Sequence, residues 1–455
     1  MALTYSLKYK KVNFFQKVIL EKEGEIIVDR QSFRLKGKGA QDMGENIYFS
    51  DIKELFIKDD HLSFTTFSKE KYILSNFANL FDSFIKDFMK VRNDFLAENL
   101  FMKMGMLIRE FDGSAEIING FGKSINKGKS RIQFYEGSIV VIPEMRDCFV
   151  IYLDFLKSHE FDEDDYVLKL FLDNGSTVNI TKLGTYFEDC KETMESVMGN
   201  MYEKIINNLL EFLPGFDAAT LLKLASKMRD GKGIQYSSLK KMHDDLPSKL
   251  WDLALQGNAD YEDKLKLLRS LSGDENFYLG FSFQNKDRRE VVAKTLFLFA
   301  LPDKNTIVLG TMANPPAMDK HFYFFRIIMQ QGDAREKLAS KIMELNQCML
   351  LFKFDLTPLY KDRKELNKSR YRTAIKRLSF LRLIRKSYLG RIANVDSSTF
   401  KNELEKVFKR ALVLAPPVAD SLKPKASRPH DATEGLPSPK ANNHDLDTLQ
   451  DSDLE

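Results

Sequence analysis

The sequence predicts an α+β protein of 455 residues, built from antiparallel β-units that each end in one amphipathic helix. Three observations predict it. Leu62 to Phe84 and Leu168 to Cys190 overlay without a gap, and both read as strand, polar turn, strand and helix. Apolar residues coincide at Leu62/Leu168, Phe64/Leu170, Tyr72/Val178, Leu74/Ile180, Phe77/Leu183, Leu80/Tyr186 and Phe81/Phe187. Phe281 to Leu350 closes in the same order of strand, turn and helix. Between these β-rich stretches, Phe216 to Leu271 shows apolar residues only at helical spacing.

Composition sets the frame. Hydrophobic residues make up 43% of the chain, enough for real cores. No apolar run has the ~18 residues a membrane span needs. Met1 to Lys11 lacks the apolar stretch of a signal peptide, so a cytoplasmic protein is expected. Cys148, Cys190 and Cys348 sit among apolar neighbours and far apart, as buried thiols do. The net charge is +4 but uneven. Lys361 to Arg391 holds twelve Lys or Arg against two acids, whereas Leu414 to Glu455 holds four against eight acids. The chain carries one basic element and a mildly acidic tail.

In chain order, residues 1–100 form the first unit. Val18 to Leu20 and Ile26 to Val28 are read as two strands about a turn at Glu21 to Gly24, with Gly24 supplying a positive φ. Phe33, Leu35, Ile47, Phe49, Ile52, Leu55 and Ile57 continue the β pattern. Leu62 to Phe67 and Tyr72 to Leu74 make a hairpin. Ser75 or Asn76 is expected to cap a helix whose stripe is Phe77, Leu80, Phe81, Phe84, Ile85 and Phe88.

Residues 101–214 form the second unit. Ala115 to Ile118 is a short strand, and Asn119 to Ser130 is a loop rich in Gly, Lys and Ser. Strands follow at Ile132 to Ile142, Phe149 to Leu156 and Tyr166 to Leu172. Thr181 is expected to cap a helix that Pro214-Gly215 stops. Residues 215–272 are a small helical insert holding Trp251. Residues 273–352 are a third β/α unit, with Asp333 capping its helix. Residues 353–413 are a basic helical segment. There Tyr371, Ile375, Leu378, Leu381, Ile384 and Tyr388 form an apolar stripe. Arg370, Arg372, Lys376, Arg377, Arg382, Arg385 and Lys386 lie off that stripe, as a polyanion-binding face would. Residues 414–455 have the composition of a disordered tail.

Several strands plugged by one C-terminal helix resemble the pleckstrin-homology-like (PH-like) fold. Val18 to Val91 and Glu116 to Met201 look like it, and Phe281 to Leu350 is similar, giving two or three such units. The resemblance implies modules that bind phosphoinositides, peptides or histones, or that serve as scaffolds. Lipid-binding members share a first-hairpin motif of Lys, a spacer, then Lys/Arg-x-Arg. Lys123, Lys129 and Arg131 fit that order, with Lys127 beside them, and cations on a Gly-rich loop can converge on one phosphate. Arg34, Lys36 and Lys38 of the first unit lack the final Arg.

No catalytic signature is present. Gly122-Lys123-Ser124 and Gly128-Lys129-Ser130 lack the preceding Gly of a nucleotide-binding loop. No His stands at metal-ligand spacing from another His or Cys. Asp162 to Asp165 lacks the order of a calcium loop. The expected function is therefore a non-enzymatic scaffold or adaptor that binds a protein partner, without cofactor or metal. The alternative is peripheral binding to an anionic membrane or nucleic acid through 361–391. An enzyme would require a pocket with paired carboxylates of perturbed titration.

Overall fold

The computed structural model describes residues 3–13, 17–39, 42–255, 259–287, 290–314, 321–327, 334–393 and 395–413. The acidic tail and Asp333 lie outside them.

Unit 1 has seven strands: β1 (Leu3–Val12), β2 (Val18–Val28), β3 (Ser32–Gly37), β4 (Glu45–Tyr48), β5 (Ile52–Lys58), β6 (His61–Thr66) and β7 (Lys71–Ser75), followed by helix α1 (Phe81–Asn99). The sheet runs β4-β3-β2-β1-β7-β6-β5, antiparallel throughout. It curls into a half-barrel around Phe33, Phe49, Phe64 and Tyr72, and α1 fills the mouth with Phe84, Ile85, Phe88 and Met89. Alternate residues of each strand face this core, because side chains alternate across a strand.

Unit 2 repeats the plan with β8 (Leu107–Ile118), β9 (Ser124–Tyr135), β10 (Ser138–Pro143), β11 (Phe149–Tyr152), β12 (Leu156–Asp162), β13 (Val167–Leu172), β14 (Thr177–Thr181) and helix α2 (Phe187–Phe212). Its order, β11-β10-β9-β8-β14-β13-β12, is that of unit 1. Phe187, Cys190, Met194 and Val197 of α2 plug its core.

Each closing helix also reaches beyond its own unit. Leu96, Ala97 and Leu100, at the end of α1 and just after it, pack on Val140 and Ile142 of β10. That is why the run Ser138–Pro143 is buried on both faces. Ile205 and Leu209 of α2 enter the core of the third unit.

The third unit is not a further copy. Its strands are β15 (Ile234–Gln235), β16 (Phe277–Asp287), β17 (Glu290–Leu301), β18 (Thr306–Asn314), β19 (Phe322–Arg326) and β20 (Tyr388–Ile392), paired in simple sequence order. Both faces are covered. On one, Phe277, Phe297, Phe299 and Phe324 pack against α3 (Ala218–Met228), α4 (Tyr236–Lys240), α5 (Leu246–Leu255), α6 (Ala259–Ser272) and the last helix (Ser397–Val413). On the other, Leu296, Leu298, Ile307 and Phe325 meet α7 (Ala334–Leu351) and the segment after it. The third unit therefore has three layers, with the helical insert on one side of the sheet, α7 and the following segment to Ser387 on the other, and the rest of the basic segment divided between the sheet's edge strand and the insert's layer.

Other expectations are corrected. Val18–Val28 is one strand, and Gly24 makes no turn. A Cβ on Gly24 would lie 1.9 Å from the Lys36 carbonyl oxygen, so glycine is there for close strand approach. Leu3–Val12, with Leu7 and Tyr9 facing inward, is a strand the sequence reading passed over. Ser130 belongs to β9, and the loop is only 119–123. Ser75 and Thr181 end strands rather than cap helices, which start six residues later after a 3-10 turn. The Ser75 hydroxyl donates to the Lys8 carbonyl.

Candidate functional site

In both half-barrels the chain passes from fourth to fifth strand through one 3-10 turn, Phe49–Asp51 in unit 1 and Leu153–Phe155 in unit 2. These corners are where the third unit takes hold. At the first corner Arg377 donates to the Ile52 carbonyl at 2.6 Å, and Lys376 pairs with Asp51 at 2.5 Å. Arg372 lies over the Tyr48 ring and 3.8 Å from Asp51.

Arg377 also reaches Asp147 of unit 2 at 2.5 Å. The same carboxylate receives the Arg92 guanidinium of α1 at 2.6 and 2.8 Å, in a two-pronged pair. Arg92 is fully buried and also donates to the Phe49 carbonyl. Burial would raise the Asp147 carboxyl, but Arg92 and Arg377 together hold it below the usual carboxylate range. Beside it, Asn93 receives the Cys148 N–H and donates to the Arg146 carbonyl. One acid thus ties unit 1, unit 2 and the basic segment together.

At the second corner Arg229, following α3, donates to the Leu156 carbonyl at 2.8 Å and to the Tyr202 hydroxyl, with its guanidinium over the Tyr202 ring. Lys232 pairs with Asp173 in the turn between β13 and β14. Arg229 has φ 52° and ψ −143°, a backbone conformation that costs a non-glycine residue about 1–3 kcal/mol. Asp154 of the 3-10 turn faces Asp230. Burial pushes the Asp154 carboxyl up to about 6, and the neighbouring Asp230 charge adds to the shift.

The expected polyanion face does not exist as one helix. Residues 353–392 hold α8 (Thr357–Tyr360), α9 (Arg363–Leu366), α10 (Arg372–Arg377), α11 (Ser379–Ser387) and then β20. Leu378 is extended between α10 and α11, which breaks the stripe. Tyr371, Ile375, Leu381 and Ile384 of the stripe are buried. The cations are divided among different jobs. Lys376 and Arg377 are docking pins with side chains 15% and 14% exposed. Arg385 donates to the Pro358 and Lys361 carbonyls, and Arg370 to Asp355 and the Tyr371 hydroxyl. Arg382 and Lys386 are exposed on α11.

Three of the four hairpin cations share one strand, β9. Lys123 lies in the β8–β9 turn, while Lys127, Lys129 and Arg131 alternate along β9 and so share its outer face. Lys127 meets Glu116 at 3.3 Å, Lys129 meets Glu144 at 2.8 Å and Arg131 meets Glu110 at 3.7 Å. Lys127 and Lys129 stay largely in solvent, so these pairs are worth little. Missed from the sequence was Phe121 at the tip, 97% exposed, with Ile125 half-exposed beside it. An aromatic between glycines in a lysine-rich loop was the available signal.

The three thiols are buried and free, and burial pushes Cys148 and Cys190 up to about 12. Among the described residues no group of three His, Cys, Asp or Glu converges as metal ligands do, and no helix is long and apolar enough to cross a membrane. No protein family and no curated protein matches the sequence.

Proposed function

We propose that this chain is a non-enzymatic scaffold in which two PH-like modules, held at a fixed spacing, bind a protein partner. The strand order of units 1 and 2 and the helix plugging each half-barrel support the PH-like reading. The observation that carries the function is the pinning of the same corner in both: Arg377 on the Ile52 carbonyl and Arg229 on the Leu156 carbonyl. A unit spending its cations on holding two similar modules presents two surfaces at a set distance. Such an arrangement raises avidity for a partner with matching sites. The test is affinity capture of a partner, followed by titration of the purified pair. Arg377→Ala and Arg229→Ala should each weaken binding several-fold while both modules stay folded. A partner bound equally well by either variant, or by isolated unit 1 alone, would sink the fixed-spacing idea.

A second reading is favoured by the hairpin tip. Phe121 in solvent beside Lys123, Lys127 and Lys129 suits contact with an anionic membrane surface, an aromatic entering the interface and cations remaining at the headgroups. Co-sedimentation with phosphatidylserine vesicles, with duplex DNA as competitor, decides it. Binding that Phe121→Ser abolishes and DNA does not displace supports this reading. Binding unchanged in Phe121→Ser removes it.

A further inference from the structure

The first hairpin of each half-barrel ends in the same residues. Asn13, Phe15, Lys17 and Ile19, between β1 and β2, stand where Asn119, Phe121, Lys123 and Ile125 stand between β8 and β9, four identities in seven positions. Elsewhere the two units share few residues. All ten residues of β1 differ from their counterparts at 109–118. The 23 residues from Leu62 to Phe84 share only two with Leu168 to Cys190. Phe15 itself lies outside the described residues.

The turn accounts for one of these identities. The Asn13 side chain accepts the Lys17 N–H at 3.0 Å, and the Asn13 N–H donates to the Lys17 carbonyl at 3.0 Å. Asn119 holds Lys123 by the same two bonds, at 2.9 and 3.0 Å. The register also slips at the same place, after Lys11 and after Ile117. Asparagine suits this work because its side chain stands in for a backbone acceptor in a turn. The other identities do no such work. Ile19 is 61% exposed and Ile125 53%, with Val18 beside Ile19 also 53% exposed. Lys17 and Lys123 are exposed, and neither has an ion-pair partner among the described residues. No acid occurs from 11 to 20 or from 117 to 134. Core packing therefore requires neither the isoleucine nor the lysine. Apolar side chains kept in solvent at matched places mark a contact surface, and lysines without acids beside them suit an anionic one.

We infer that the first hairpin of unit 1 is a second membrane-contact element, equivalent to the tip of unit 2. The inference rests on the membrane reading given above and extends it to residues outside unit 2. Val18 and Ile19 enter the interfacial layer of an anionic bilayer while Lys17 stays at the headgroups, as Phe121, Ile125 and Lys123 do in unit 2. The chain then carries two such points, one in each half-barrel.

The test uses the full chain and vesicles of phosphatidylserine with brominated phosphatidylcholine, whose bromine quenches tryptophan inside the bilayer. Ile19→Trp and Phe121→Trp each place a reporter at one tip. Trp251, the only native tryptophan, is buried in the third unit and supplies a constant background. Both reporters should be quenched, and neither should be quenched by vesicles of brominated phosphatidylcholine alone. The double change Val18→Ser with Ile19→Ser should weaken co-sedimentation several-fold at an unchanged melting temperature, since both residues lie in solvent. Quenching of Phe121→Trp without Ile19→Trp, or full binding by the double variant, overturns the inference and leaves the unit 2 tip as the membrane contact. Quenching of neither reporter overturns both, and the shared residues would then belong to a protein contact.

Discussion

Units 1 and 2 have the same strands in the same order, yet they solve the same backbone problems with different residues. From the β6–β7 hairpin to the start of the helix, the elements of unit 2 match those of unit 1 residue for residue. The connections before β4 and after β5 differ most in length, the first shorter and the second longer in unit 2. Where β2 and β3 crowd together, unit 1 places Gly24 opposite Gly37, and unit 2 places Ser130 opposite Pro143. Where the chain turns into the closing helix, unit 1 holds Ala78 at φ 53° and unit 2 holds Gly184 at φ 58°. At the corner, unit 1 has buried Ser50 and unit 2 has Asp154. The fold is set by the alternation of core residues, while local strain and charge are distributed differently.

The largest asymmetry is Asp147, which unit 2 lends to the corner of unit 1. Asp147→Ala leaves Arg92 fully buried and Arg377 nearly so without their counter-charge. Breaking one side of a buried pair costs about 3–5 kcal/mol, so the urea midpoint should drop sharply. A drop below about 1 kcal/mol would mean the cations find water, and the three-way tie would be cosmetic. Next in size is Gly24→Ala. Its Cβ would collide with the Lys36 carbonyl, and forcing β2 and β3 apart should cost about 1–3 kcal/mol. Gly128→Ala in β9 meets nothing within 4 Å and should change stability little. Equal effects from the two would show that the coil of the first half-barrel is not tighter.

These contrasts show what was legible in the sequence. The matched apolar positions of the hairpins became core in both units, with Leu62, Leu168, Leu74 and Ile180 all fully buried. Leu80 and Tyr186 also coincide, but as residues about half-exposed, so a shared apolar position was not always a core position. Leu3–Val12 was overlooked because lysines crowd its outer face, although Leu7 and Tyr9 carry the period of two. Gly24 was misjudged because a glycine after charged residues suits a turn equally well. The candidate sites were less legible. Lys376 and Arg377 read as solvent-facing cations because their acceptors, Asp51 and Asp147, lie hundreds of residues away. No local pattern encodes a partner at that separation.

The corners can be compared by charge. Loss of hydration raises the Asp154 carboxyl above its unfolded value to about 6, with Asp230 adding to it. A raised carboxyl contributes stability that is fully present below the unfolded value near 3.8 and is lost as pH rises through about 6. Asp154→Ser, which copies unit 1, should therefore remove a pH dependence. Relative to that variant, the wild-type melting temperature should be higher at pH 5 than at pH 7.5. A constant difference between the two proteins across that interval would show that Asp154 is hydrated.

The smallest effect tests the helix entry. A left-handed conformation costs a non-glycine residue about 1–2 kcal/mol, and glycine loosens the unfolded chain by about 0.4–1 kcal/mol. Ala78→Gly should therefore stabilise unit 1 by a net ~0.5–1 kcal/mol, and Gly184→Ala should destabilise unit 2 by a similar amount. Lys69 and Gly175, at φ 64° and 81° in the equivalent hairpin turns, offer a second pair with the same expected signs. If Ala78→Gly instead lowers the melting temperature, the Ala78 side chain holds the entry to α1 by packing. The two units would then differ there in more than conformational preference.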